Sequence, residues 1–395
     1  MTPAARVQAA IEILDAIASA ARDGGAPADA IFAEAMRARR YAGSKDRRAI
    51  RALVYDAIRA AAVAPVSGRA AMVSLADQDA DLAALFDGSQ YGPAAIEADE
   101  PRAAAGVAAP SLMALFDPLI GADEYDAMLQ RAPVDLRRNL LRADAPNLAD
   151  IFADGQPIKA LAQAWRLPPE SPAVQHPAYA SGGFEVQDAA SQYSAVALDA
   201  GPDMRIVDLC AGGGGKTLAI AALTHDRAQI LATDTHRARL QQLPPRAERA
   251  GATSIETRLL NPQSELAMMP DWVGQADRVF VDAPCSGSGT WRRSPELRWR
   301  LTPARLQRHL DDQARLMDIG AKLLGAGGKM IYAVCSVMAC EGRDQVRKFL
   351  ARHPNWVAEQ EFLPDGIGRK AGDGYVFTPK YDECDGFFLA RLSAP

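Results

Sequence analysis

The stretch Met204-Arg205-Ile206-Val207-Asp208-Leu209-Cys210-Ala211-Gly212-Gly213-Gly214-Gly215-Lys216-Thr217 decides how the rest of the chain is read. A short apolar run ends on an acid and passes into four glycines where a helix should begin, the pattern of a strand-to-helix turn in an α/β sheet. The same alternation continues outward. Gln229–Thr233, Arg278–Val281, Lys329–Val334 and Gly386–Leu392 are further candidate strands. Between two of them Thr302 supplies an N-cap and Pro303 a first-turn proline, and Leu306, Leu310, Met317, Ala321 and Leu324 keep helical spacing up to Gly325. These features predict a Rossmann-like α/β domain with a mostly parallel sheet over residues 182–395.

Glycines in such a turn let the backbone approach a ligand with no side chain in the way. A nucleotide-phosphate loop needs G-x-x-x-x-G-K-[ST]; Gly215-Lys216-Thr217 meets its end, but its first glycine falls on Cys210. A nucleoside cofactor at the carboxyl edge of the sheet instead requires an acid at the end of the next strand, about twenty residues on, and Asp234 stands there. A purely structural glycine turn is the third alternative.

Two more strand ends carry chemistry. Val281-Asp282-Ala283-Pro284-Cys285-Ser286-Gly287-Ser288-Gly289 combines a carboxylate, a rigid proline and a thiol with a flexible loop, which suits holding the edge of a base beside a nucleophile. Tyr332-Ala333-Val334-Cys335-Ser336 ends the following strand. A lone free cysteine is most often a buried small hydrophobe, but two of them at neighbouring strand ends predict one shared cleft. Downstream of the first, Arg292, Arg293, Arg298 and Arg300 interleave with Trp291 and Trp299. That composition suits phosphates and splayed bases, and equally a solvated arginine face over two core tryptophans.

Upstream, Val7, Ala10, Ile11, Leu14 and Ile17, then Ala49, Ala52, Leu53 and Ile58, recur at helical spacing without strand-like alternation. A helical domain is expected over 1–110 and a small connecting subdomain over 111–181. Arg37, Arg39, Arg40, Lys45, Arg47, Arg48, Arg51 and Arg59 make a basic cluster there, although such clusters are commonly solvated helix faces. Over the whole chain, 44 Lys plus Arg face 49 Asp plus Glu, so a nucleic-acid partner must be met by local patches. With 49% apolar residues in 395, disorder is excluded. Apolar runs too short for a membrane helix and a start, Met1-Thr2-Pro3-Ala4, without a signal peptide's apolar core lead us to expect a soluble, cytoplasmic protein with no membrane partner. The five cysteines, Cys210, Cys285, Cys335, Cys340 and Cys384, contain no C-x-x-C pair, which argues against a disulfide framework and against a zinc site; no metal is expected.

Asp282-Ala283-Pro284-Cys285-Ser286-Gly287-Ser288-Gly289 with Cys335-Ser336 downstream resembles the RsmB/Sun family of RNA cytosine-C5 methyltransferases. Phe184 to Gln192, the Asp208–Thr217 loop, Arg292-Arg293-Ser294-Pro295-Glu296 and Asp385 to Leu392 extend the likeness, strongest over 182–392; Pro133 to Leu140 resembles the piece preceding the family's catalytic domain. Arg37 to Arg59 resembles more weakly the NusB-like RNA-binding domain of the 16S rRNA branch. The resemblance implies S-adenosyl-L-methionine as cofactor, RNA, 16S rRNA foremost, as partner, and a monomer. It implies Cys335 as the thiol that adds to cytosine C6, Cys285 as the thiol serving product release, Asp282 on the N3/N4 edge of the base, and Lys216 positioning Asp282 or lowering a thiol pKa. Its cofactor side comprises Cys210, Ala211, Gly212, Gly213, Gly214, Gly215, Lys216, Asp234, Arg239, Asn261 and Asp282. Three departures bear on cofactor affinity: Gly213 replaces the family's usual proline, Asn261 stands where an aspartate is usual, and Pro244-Pro245 interrupts the helix after Asp234.

A DNA cytosine-C5 methyltransferase uses a Pro-Cys thiol like Cys285, but its Glu-Asn-Val motif is missing after that residue. An amino-group methyltransferase wants an aromatic where Cys285 stands. A tRNA cytosine-C5 methyltransferase and a non-catalytic ribosome assembly factor keeping the fold are the remaining alternatives; the altered cofactor residues motivate the latter.

Overall fold

A computed structural model describes all 395 residues. The chain separates into two compact units. The first comprises Met1–Phe116, Tyr125–Gln130 and Thr290–Pro303, and the second the remainder.

Five helices open the first unit: α1 (Pro3–Asp23), α2 (Ala28–Ala38), α3 (Ser44–Ala60), α4 (Gly68–Ala76) and α5 (Ala80–Ala83). Thr2 caps α1 by accepting from the amide of Ala5, and Gly24, at φ 75°, ends it. Val7, Ala10, Leu14 and Ile17 of α1 pack with Ile50, Val54 and Ile58 of α3 and Met72 and Val73 of α4 in one buried cluster. A side chain at Gly68 would place its Cβ 2.1 Å from the Ile11 carbonyl, so the contact between α1 and α4 requires glycine. Single turns α6 (Pro110–Met113) and α7 (Tyr125–Leu129) follow. Within the basic cluster, Arg39 pairs with Glu12 and Arg51 with Asp29, while Arg37, Lys45 and Arg48 are exposed.

The second unit begins with a small antiparallel sheet. β1 (Val134–Arg138), α8 (Leu148–Ala153), β2 (Gln156–Pro157), β3 (Ala164–Leu167), α9 (Pro177–Ala180) and β4 (Phe184–Val186) give the strand order β2-β3-β1-β4. Helix α10 (Ala189–Ala197) leads into β5 (Arg205–Asp208), α11 (Gly215–Leu223) and β6 (Gln229–Asp234). The helical connection after β6 is broken into α12 (Arg237–Leu240) and α13 (Leu243–Ala250). Pro244 and Pro245 fall in the first turn of α13, where no amide is needed for a helical bond. β7 (Ile255–Leu259) and β8 (Ala276–Asp282) follow.

From Thr290 to Pro303 the chain belongs to the first unit and contains α14 (Leu297–Arg300). This corrects one expectation: three of the residues weighed as an RNA-holding cluster are buried structural donors. Arg298 Nη2 donates to the carbonyls of Ile58, Arg59 and Ala61 at 2.7, 2.9 and 2.8 Å, and Trp299 Nε1 to Ala61 at 2.9 Å. Arg300 donates to Gly25 at 2.9 Å and to Ala26. The end of α3 is short of helical donors, with only the Ala61 amide reaching the Ile58 carbonyl at 3.3 Å, and the arginine supplies more. Trp299 also joins the buried cluster of the first unit, Trp291 packs against Phe116, and of the four arginines only Arg293 is exposed.

The chain then completes the second unit with α15 (Pro303–Leu323), β9 (Leu324–Val334), α16 (Arg343–Arg352), β10 (Val357–Ala358), β11 (Arg369–Ala371), β12 (Gly374–Phe377) and β13 (Phe387–Ser393). The main sheet runs β11-β12-β13-β9-β8-β5-β6-β7, with β10 beside β13. β7, β6, β5, β8 and β9 are mutually parallel, and β10 to β13 add antiparallel pairs at one side. Ile206, Val207, Leu231, Val279, Val281, Met330 and Tyr332 are buried, as strands covered on both faces require. The chain runs from β5 outward through β6 and β7, then returns to β8 on the other side of β5. The crevice at that reversal, outside the carboxyl ends of the strands, is where this architecture binds ligands.

Candidate active site

Register brings the two cysteines together. β8 and β9 pair with Asp282 opposite Ala333, and the amide of Ala283 donates to the Ala333 carbonyl at 2.9 Å. Cys285 and Cys335 therefore leave adjacent strands a few residues beyond the same rung. Their Sγ atoms lie 3.3 Å apart and both residues are half-buried. The hydrogen bond with Cys335, burial, and the nearby charges of Cys335 and Glu341 push the Cys285 thiol well above the ordinary cysteine range.

Asp282 ends β8 with its side chain 28% exposed, and Lys216 Nζ donates to its Oδ2 at 2.7 Å. Lys216 is the second residue of α11, so the glycine turn aims it at the neighbouring strand end. Burial pulls its ammonium pKa down, but the charge and hydrogen bond of Asp282, with the charges of Cys335 and Asp208, outweigh burial and leave it raised. The lysine thus sits on Asp282, with Cys335 close enough for the two charges to interact.

Three consecutive strand ends form the other side of the crevice. After β5, Gly212 and Gly214 adopt φ 56° and 83°, and a Cβ on Gly214 would lie 2.1 Å from Leu243 Cδ1. The amide of Gly212 donates to Asp234 Oδ2 at 2.9 Å, and that of His236 to Oδ1 at 2.6 Å, so the half-buried acid ending β6 is fixed against the loop. Nothing lies within 4 Å of the point where a Cβ on Gly212 would project. Arg246 of α13 donates to the Gly213 carbonyl while pairing with the buried Glu185 at 2.8 Å, which anchors the loop where the family's proline is missing. Asn261 is exposed beyond β7 and Arg239 is exposed on α12. Open space over a glycine, a fixed carboxylate and an exposed amide on neighbouring strand ends fit the hydroxyls and amino group of a nucleoside.

Beneath the loop, Asp208 is 1% exposed; its Oδ2 accepts from Thr217 Oγ1 at 2.6 Å, and its Oδ1 has no hydrogen-bond partner. Burial pushes its carboxyl up to about 7, reinforced by Asp282 and opposed by Thr217 and Lys216. Cys210 is driven well above the usual thiol range by burial and by the carboxylates of Asp208, Asp282 and Asp234, which keeps it protonated beside the glycine loop.

Sequence reasoning missed Glu341. It is 0% exposed and sits between the two cysteine loops. Its Oε1 accepts from the Ser286 amide at 2.8 Å and from Gln313 Nε2 at 3.1 Å, and its Oε2 from Ser286 Oγ and Ser336 Oγ at 2.5 and 2.6 Å. The available signal was the repeated Cys-Ser dipeptide: two hydroxyls at converging strand ends need a common acceptor.

The sequence profile of the family described as 16S rRNA methyltransferase RsmB/F matches residues 195–393, just over half of the chain. A probable ribosomal RNA small subunit methyltransferase B from Synechocystis sp. is 36% identical over 296 residues, 71% of this chain and 65% of that protein. Ribosomal RNA small subunit methyltransferase B from Salmonella paratyphi C is 33% identical over 273 residues, 68% of this chain and 61% of its own length. The chain thus spans less than two thirds of these relatives. The solved structure of a methyltransferase homolog protein from Pyrococcus horikoshii shares the fold, with a TM-score of 0.59 at 22% identity over 69% of this chain and 90% of that one. No helix is long and apolar enough to cross a membrane. Its sequence match, its fold and the paired thiols at its strand ends together make this chain a member of the RsmB/F family of 16S rRNA methyltransferases.

Proposed function

We propose that the protein transfers a methyl group from S-adenosyl-L-methionine to C5 of a cytosine in RNA, with 16S rRNA, named in the description of its family, as substrate. The observation that carries this reading is the 3.3 Å approach of Cys285 and Cys335 beside the Asp282–Lys216 pair. Cytosine C5 is too weak a nucleophile to accept a methyl unaided. The Cys335 thiolate adds to C6, forming a C–S bond and making C5 enamine-like. Asp282, held by Lys216, accepts from the N4 amino group and from a protonated N3, and so favours the protonated ring, whose C6 is electrophilic. The cofactor, when bound, would supply an electrophilic methyl carbon: C5 would bond to it as the methyl–sulfur bond breaks, and the sulfur would leave as a neutral thioether. The C5 proton then passes to solvent water, the C5=C6 bond re-forms and Cys335 departs as thiolate.

Cys285, kept as a thiol by its surroundings, does not compete with Cys335 for the attack and is left to the release step. Its neighbour in space bears the attacking role, in the arrangement by which a second group serves the first. On the cofactor side, the backbone from Ala211 to Gly215 meets the methionine and ribose portion, Asp234 takes ribose hydroxyls, Asn261 the adenine edge, and Arg239 and Cys210 flank them. Methyl-labelled cofactor incubated with 16S rRNA, followed by nucleoside mass spectrometry, tests the reading. The expected product is 5-methylcytosine; label on an exocyclic amino group, or none at all, contradicts it.

A further inference from the structure

Strand register alone places the two cysteines near each other, but both then continue into loops. The Cys285 loop contains Gly287 at φ 68° and runs Ser-Gly-Ser-Gly, a sequence with little intrinsic stiffness. The spacing of the sulfurs therefore needs a restraint that register does not provide. The structure contains a backbone tie, the Gly289 amide donating to the Cys335 carbonyl at 3.1 Å, and nearer the Cys285 sulfur a side-chain clamp. Each cysteine is followed by a serine, and both serine hydroxyls reach the same oxygen of Glu341.

The restraint extends in both directions. Ser288 Oγ lies 2.9 Å from Ser336 Oγ and accepts from the Val337 amide at 3.0 Å, and Ser336 Oγ accepts from the Met338 amide at 3.1 Å. Gln313 of α15 joins its bond to Glu341 with one to the Pro284 carbonyl at 3.0 Å. Tyr332 Oη donates to the Glu341 carbonyl at 2.6 Å, which fixes the backbone of the acid itself. Ser286, Ser288, Ser336, Gln313 and Glu341 are all buried. Charge-assisted bonds in such a setting are short and stiff, and a missing member leaves buried polar groups unpaired.

We propose that Glu341 is a positioning residue whose carboxylate clamps Ser286 and Ser336 and thereby sets the separation of the Cys285 and Cys335 sulfurs. It is fully buried and acts through the two serines. The claim about spacing stands on geometry alone, while its consequence for turnover rests on the methyl-transfer reading above. After Cys335 bonds to one ring carbon, Cys285 must reach the region of the adjacent carbon, so slack between the loops slows catalysis with little effect on binding either ligand.

Diamide serves as a ruler for the spacing. It oxidises the two thiols by breaking both S–H bonds and forming one S–S bond, and its N=N bond takes up the two hydrogens to become a hydrazine. Cross-linking of the Cys285 and Cys335 peptides, followed by mass spectrometry in the full-length protein, gives the rate. Glu341→Ala is expected to slow this disulfide about ten-fold or more, the loss that goes with a charge-assisted hydrogen bond. Glu341→Gln, which keeps a polar partner for both serines, is expected to recover to within about three-fold. Cofactor affinity by calorimetry should hold, and kcat should fall with KM for RNA little changed. Cross-linking of Glu341→Ala at the wild-type rate overturns the proposal, as does loss of cofactor affinity in Glu341→Ala that Glu341→Gln does not restore. Should Glu341→Ala not fold, Ser336→Ala removes one arm of the clamp and must slow the cross-link as well; an unchanged rate overturns the idea there too. If wild-type protein methylates no RNA, the cross-linking rates still decide the question of spacing.

Discussion

Arg298→Ala separates an architectural arginine from one that meets a phosphate. The side chain is 2% exposed and its Nη2 supplies the carbonyls of Ile58, Arg59 and Ala61, with Nη1 bonded to Pro295 at 3.0 Å. Truncation removes all four of these hydrogen bonds, at about 1 kcal/mol each, although the Ile58 carbonyl keeps the Ala61 amide at 3.3 Å. Ala61 retains the bond from Trp299. Part of the loss is offset, because the buried guanidinium is itself costly: burial and the nearby Arg59 pull its pKa down to about 10 against the opposing charge of Glu296. The balance is a destabilisation of about 3 kcal/mol, which for a unit of this size lowers Tm by roughly 10 °C. Thermal unfolding followed by circular dichroism measures it, alongside RNA binding at about 15 °C, where the variant stays folded. The expected result is a large drop in Tm with RNA affinity within about two-fold of wild type. Unchanged Tm with affinity weakened ten-fold would refute the structural assignment.

The buried Asp208 carboxyl, raised to about 7 in the folded state, makes the wild type lose stability as pH rises from about 4 to about 7, because the folded protein binds the proton more tightly than the unfolded chain. The full swing is on the order of 4 kcal/mol; denaturant titrations across that range should show it, and Asp208→Asn should flatten it, whereas a parallel pH profile in the variant would exclude Asp208 as the source. Gly214→Ala forces a side chain into left-handed backbone and against Leu243; the strain, about 1–2 kcal/mol before the clash is counted, should weaken cofactor binding ten-fold or more by calorimetry, and unchanged affinity would show that the loop does not touch the cofactor. Lys216→Met should lower kcat by about 100-fold with far smaller effects on cofactor affinity, since the lysine holds Asp282 rather than the ligand, and a dominant loss of affinity would place it on the cofactor instead.

The parallel core of the sheet was legible because its strands are short apolar runs ending in chemistry-bearing loops. β5, β6, β8 and β9 fall where Met204–Leu209, Gln229–Thr233, Arg278–Val281 and Lys329–Val334 were expected. β9 begins five residues early, at Leu324, because α15 runs straight into it; Gly325, Gly327 and Gly328 look like a turn but lie within the strand. Between Pro110 and Ser181 prolines concealed the short pairing strands β1 to β3, whose partners are set by contacts distant in sequence. The convergence of Cys285 and Cys335 followed from treating their strands as neighbours. Glu341 and Arg298 were illegible for a common reason. Each acts by satisfying groups far away in the chain, and neither carries a local motif that announces its partners.

In the proposed reaction the two thiols divide the work at one cytosine, Cys335 bonding to the ring and Cys285 releasing it. Denaturing electrophoresis of the Cys285→Ala and Cys335→Ala variants, each incubated with cofactor and labelled 16S rRNA, tests this directly. A slow-migrating protein–RNA band with Cys285→Ala and none with Cys335→Ala is the predicted result. A band that survives Cys335→Ala and vanishes with Cys285→Ala would contradict it.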